Sequence, residues 1–144
     1  MSGIIGGAGS KSGIIGETEL DYEEGTWTGS ISNATVSSTA KYIKIGKMVT
    51  ATAYLTLTDS PSSSSTALIG LPFTSNATGT WTGTVMMDGA DMSSSAQYAV
   101  CAVYATHSYC RVFHVFDNGG WDVANSNAYS SGDNVVFSIT YEVP

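Results

Sequence analysis

Basic residues are scarce in this chain: five lysines and arginines stand against twelve acids over 144 residues, for a formal net charge of −7. So few cations cannot neutralise a run of phosphates, which argues against nucleic-acid binding. Charge of either sign is thin, at 12% of the residues, about half the usual share. No stretch reaches the roughly 18 apolar residues that a membrane-spanning helix requires, so no membrane segment is expected. The first positive charge is Lys11 and no continuous apolar core follows Met1, so a secretory signal is not expected either.

Histidine is nearly absent. His107 falls in a turn and His114 in a strand, and neither sits in a triad or zinc-site pattern. His114 reads as a semi-buried sheet residue. Carboxylate pairs for glycoside cleavage can be picked out as Asp88 with Asp91 or Asp117 with Asp122, but loop aspartates ordinarily serve turns. No twelve-residue calcium pattern is present. No catalytic residue, metal or cofactor is therefore expected. The two cysteines, Cys101 and Cys110, flank a turn at residues 106–108 and read as small buried hydrophobes.

What the chain does have is alternation. In the stretch Met48 to Thr58, Val49, Ala51, Ala53, Leu55 and Leu57 share one parity, and four threonines with Tyr54 share the other. A pleated strand with one buried face follows, since a helix would need apolar residues three and four apart. Val135, Phe137, Ile139, Tyr141 and Val143 make a last strand as regular as the first. Residues 96–106 and 109–116 predict a hairpin apolar on both faces, hence central or at a subunit contact. A first strand is expected over 26–36, opened by Trp27, and a bulge or bend at Gly46. Gly79-Thr80-Trp81-Thr82-Gly83 repeats Gly25-Thr26-Trp27-Thr28-Gly29, which would suit two sheets beginning with the same corner. Seven to nine strands with turn punctuation and no helix predict an all-β antiparallel sandwich over residues 22–144, with the jelly roll as its expected order.

Residues 1–21 read differently. Gly-Ile-Ile-Gly occurs at 3–6 and again at 13–16, and six glycines fall within the first sixteen residues. Such a stretch loses much backbone freedom if it orders alone, yet two Ile-Ile pairs are wasted on a free tail. An extended arm that docks Ile4, Ile5, Ile14 and Ile15 into an apolar groove of another chain accounts for both features.

Tyr22-Glu23-Glu24-Gly25-Thr26-Trp27-Thr28, then Tyr42-Ile43-Lys44-Ile45-Gly46, the strand at Val49 and Gly70-Leu71-Pro72-Phe73 follow one another in this order. Together they resemble a β-rich module of tailed-bacteriophage virion proteins over about the first half of the chain. The module usually has proline where this chain has Gly29. The resemblance implies a virion structural protein assembled in the bacterial cytoplasm, with a homotrimer as the expected state. Two roles fit. One is a capsid decoration or cement protein that binds the assembled major capsid protein, or another virion protein, through its arm and sheet. The other is a tail-fibre domain recognising host glycan, with Trp27, Trp81 and Trp121 as stacking faces. A single domain with a short arm favours the first, because a fibre normally adds an attachment domain and a shaft. An enzyme on the particle has the least support.

Overall fold

The computed structural model describes residues 21–61, 65–117 and 119–144. Among the described residues are β1 (Tyr22–Thr26), β2 (Val36–Ile45), β3 (Met48–Leu57), β4 (Leu68–Gly70), β5 (Thr80–Asp88), β6 (Ala96–Tyr104), β7 (Tyr109–Phe116), β8 (Trp121–Val123) and β9 (Asn134–Glu142), with one 3-10 turn at Ser126–Ala128. Every pairing between these strands is antiparallel. The sheet runs β1-β2-β3-β9-β5-β6-β7-β4, with β8 also on β7.

The predicted alternation fixes the centre. Val49, Ala51, Ala53, Leu55 and Leu57 are all buried, and the first four pair across to Tyr141, Ile139, Phe137 and Val135 of β9, which are buried too. One face of the sheet is thus the core. Beyond β4, Gly70 N–H donates to the Ser30 carbonyl at 3.0 Å and Ser32 N–H to the Leu68 carbonyl at 2.9 Å. These bonds fasten the segment after β1 to the far end of the strand order, so the sheet curls around its own apolar face.

The all-β antiparallel fold is as expected, but several details differ. The two facing layers of a sandwich are halves of one curled sheet. Their order is two meanders, β1-β2-β3 and β5-β6-β7-β8, joined by β9, and not the order of a jelly roll. The first strand is Tyr22–Thr26, so most of the stretch expected as strand is a loop held by Ile31, which bridges Ala34 and Ile69. Of the bulge or bend expected at Gly46, the structure has the bend. The Gly46 φ of 57° serves the tight turn that pairs Ile45 with Met48. The pleat of β2 is therefore undisturbed, and Lys41 lies on the same face as Ile43 and Ile45. The repeated Gly-Thr-Trp-Thr-Gly stretches are not equivalent, because the first leaves β1 and the second begins β5.

Candidate binding face

The motif pieces that are far apart in sequence meet in space. Tyr42 lies directly over Gly25, where an added Cβ would stand 2.8 Å from the phenol oxygen. The Tyr42 ring meets Phe73 edge-on at 4.9 Å. Phe73 is clipped in turn by Tyr141, whose hydroxyl donates to the Phe73 carbonyl at 3.0 Å and accepts from its N–H at 3.2 Å. The acids of the same motif are held locally: Tyr42 donates to Glu23 at 2.5 Å and Tyr22 to Glu24 at 2.7 Å, while Asp21 pairs with Lys44 at 2.7 Å. Gly29 also has a packing reason, since any Cβ there would strike Leu55. This constellation is structural, and the surface chemistry lies elsewhere.

On the outer face of the sheet, register sets large apolar groups in two rows. Tyr22, Ile45 and Met48 are cross-strand neighbours on β1, β2 and β3. Tyr54, Val136 and Met86 form a second row on β3, β9 and β5. Tyr22, Ile43, Ile45, Met48, Tyr54 and Met86 are all exposed. Two open depressions of about 490 and 460 Å³ lie on this face and meet at Lys41 and Thr52.

The outer face of β6, β7 and β8 is paved differently. Tyr98 and Trp121 both stand opposite Val115, one on each side of β7. The Trp121 ring leans on Phe113 at 5.6 Å, and Phe113 meets Tyr104 at 6.2 Å. The Arg111 guanidinium lies 5.6 Å from the Tyr104 ring and 5.8 Å from the Tyr109 ring. His107 closes the row against Tyr109 at 4.7 Å, its Nδ1 placed 2.6 Å from the Ala105 carbonyl.

The three tryptophans divide cleanly. Trp27 packs edge-on to Phe137 at 6.3 Å, with its indole nitrogen buried and unpartnered. Trp81 packs against the core. Trp121 is 66% exposed, so it is the tryptophan with a face to offer. Ile4, Ile5, Ile14 and Ile15 lie outside the described residues.

His114 is only 4% exposed, and its Nε2 is buried without a partner, while Nδ1 lies 3.4 Å from the Ser93 hydroxyl. Burial holds its pKa below the usual imidazole value, partly offset by the charge of Asp122. His114, Asp122, Asp91, Ser93 and Asn127 line a polar depression of about 390 Å³. Of the aspartate pairs picked out by sequence, this brings together Asp91 and Asp122, one from each pair. Among the described residues no group of three or more His, Cys, Asp or Glu side chains could hold a metal ion. Cys101 and Cys110 are free thiols and fully buried, and the hydrogen bond to Cys101 together with burial pushes Cys110 well up.

Arg111 was missed by sequence reasoning. Its signal was parity, since Tyr109, Arg111, Phe113 and Val115 alternate onto one face of β7.

The fold and this surface define an all-β protein whose sheet displays two unlike outer faces, one mixing aliphatic side chains with Tyr22 and Tyr54 and one of aromatic rings around Arg111. Comparison with protein-family models, curated proteins and solved structures finds no match to the chain.

Proposed function

We propose that this chain is a bacteriophage virion structural protein, most simply a capsid decoration protein that docks on the assembled major capsid lattice. The phage setting is supported by the motif resemblance over residues 22–73. The docking role is carried by one observation, the two apolar rows on the outer face of β1, β2, β3, β9 and β5. Exposed apolar rows of this kind, with the hydroxyls of Thr50 and Thr52 between them, suit contact with another protein. Asp21 lies beside Tyr22 of the first row, so the arm of residues 1–21 ends where that surface begins. Ile4, Ile5, Ile14 and Ile15 act as its further anchors. A ligand that binds only the assembled lattice stabilises the particle by mass action, and a homotrimer would add the avidity of three simultaneous arms.

Quantitative mass spectrometry of purified virions tests the role. Copy numbers comparable with the major capsid protein are expected, and a few copies per particle would exclude lattice-wide decoration. Deleting residues 1–16, or substituting Ile45→Lys and Met86→Lys together, should abolish particle binding in a folded domain.

A second reading, host-glycan recognition by a tail-fibre domain, is favoured by the exposure of Trp121 on the aromatic face. Trp121→Ala should then weaken cell binding while virions still assemble. Unchanged cell binding would remove Trp121 from that role.

A further inference from the structure

Arg111 is the single arginine of a chain in which acids outnumber bases by twelve to five. Among the described residues no carboxylate pairs with it, the one salt bridge being Lys44 with Asp21. Its Nε is buried without a hydrogen-bond partner. What holds the side chain is the pair of rings of Tyr104 and Tyr109. A guanidinium fixed in this way is pre-organised for a planar anion, because its rotamer freedom is already restricted.

The neighbourhood narrows the anion. Along β7, Phe113 stands two residues from Arg111, about 7 Å away, and Trp121 lies over Phe113. Trp121 stands opposite Val115, four residues along β7 from Arg111 and roughly 13 Å away, so a ligand of two or more sugar units is long enough to hold Arg111 and lay a ring on the exposed indole, whose negative face attracts the weakly positive C–H groups of a pyranose. Strand addition by a peptide is blocked here, since β7 carries β6 on one edge and β4 with β8 on the other. A dense polyanion is opposed by the net charge of −7. A single carboxylate needs only the one cation present.

We propose that the outer face of β6, β7 and β8 is a binding site for a carboxylated saccharide, with Arg111 taking the carboxylate in a bidentate pair and Trp121 stacking on the sugar ring. The site rests on the saccharide reading of Trp121 and adds to it the acidic class of sugar.

The test is an array of bacterial-surface saccharides containing uronic or ulosonic acids, each printed beside its carboxyl-reduced counterpart, with polyglutamate as a peptide control. It is probed with the wild-type chain, Arg111→Gln, Arg111→Lys and Trp121→Ala, each checked by thermal melting. Wild type should bind carboxylated sugars and lose about tenfold or more on reduction of the carboxyl. Arg111→Gln should lose as much on the acidic forms and nothing on the neutral ones, Arg111→Lys should fall between, and Trp121→Ala should weaken both. Equal binding of acidic and reduced sugars, or full binding by Arg111→Gln, overturns the acidic specificity and leaves the saccharide reading standing. No saccharide binding overturns both, as does binding confined to polyglutamate.

Discussion

Replacing Gly83 with alanine should destabilise the domain, because overpacking a core costs about 2 kcal/mol in the middle of its range. Gly83 lies in β5 with Ile139 of β9 on one side and Cys101 of β6 on the other. A Cβ there would stand 2.8 Å from Ile139 Cβ and 2.9 Å from Cys101 Sγ, and closer still to the Ser138 carbonyl oxygen. The last is backbone in a paired central strand, which cannot rotate away, so relief requires prising β5 from β9. The reduced freedom of the unfolded chain works the other way, by roughly 0.4–1 kcal/mol for a glycine-to-alanine change. The net loss of roughly 1–1.6 kcal/mol lowers the melting temperature by about 2–6 °C for a domain of this size. Gly120→Ala is the matched control. Nothing lies within 4 Å of a Cβ there, so the same substitution should be neutral or slightly stabilising. Urea and thermal unfolding of the two variants measure both. If Gly83→Ala is as stable as wild type, the close approach of the three strands is wrong, and with it the central position of β9.

Three other expectations follow from buried polar groups. Tyr141→Phe removes both hydrogen bonds to the Phe73 backbone and should cost about 1–3 kcal/mol in chemical denaturation; no loss would mean that the Phe73 turn is held by other contacts. Because the folded state holds His114 below the ordinary imidazole value of about 6.5, the unfolded chain takes up the proton first. Stability present above that pH therefore falls as pH drops through the folded value. His114→Gln should flatten that limb of a urea-midpoint profile, and an unchanged profile would remove His114 as its source. Neither Cys101 nor Cys110 should react with an aromatic disulfide reagent in the native protein, and both should react on unfolding; a fast native phase would contradict their burial.

The regular strands were legible because one face of each is wholly buried, which forces the period of two. β3 and β9 are the clear cases. β1 was misplaced because Tyr22-Glu23-Glu24-Gly25-Thr26 has no such pattern: as an edge strand it can carry acids that answer to Tyr22 and Tyr42 rather than to the core. The parity of β2 is hidden for a related reason. Lys44 points with Tyr42 and reaches Asp21, which leaves Ile43 and Ile45 outside, an arrangement that follows only from knowing that the surface has a row of neighbours there. Among the tryptophans, local context could not separate Trp121 from Trp27 and Trp81, since Trp27 is covered by Phe137, a residue more than a hundred positions away. Arg111 was readable from strand parity but gained meaning only with Tyr104 and Tyr109 on either side.

The place of β9 governs how the molecule can be made. It is the last of the nine described strands to leave a ribosome, yet it lies between β3 and β5 and joins the two meanders. Until it arrives, each meander has an open edge and a bare apolar face, two halves that can stick to neighbours on the same polysome. Folding of this chain is therefore expected to wait for the completed β9, with most of its contacts spanning long sequence distances and a correspondingly slow approach to the native state. A chain that stopped within β9 would leave two sticky hairpin arrays.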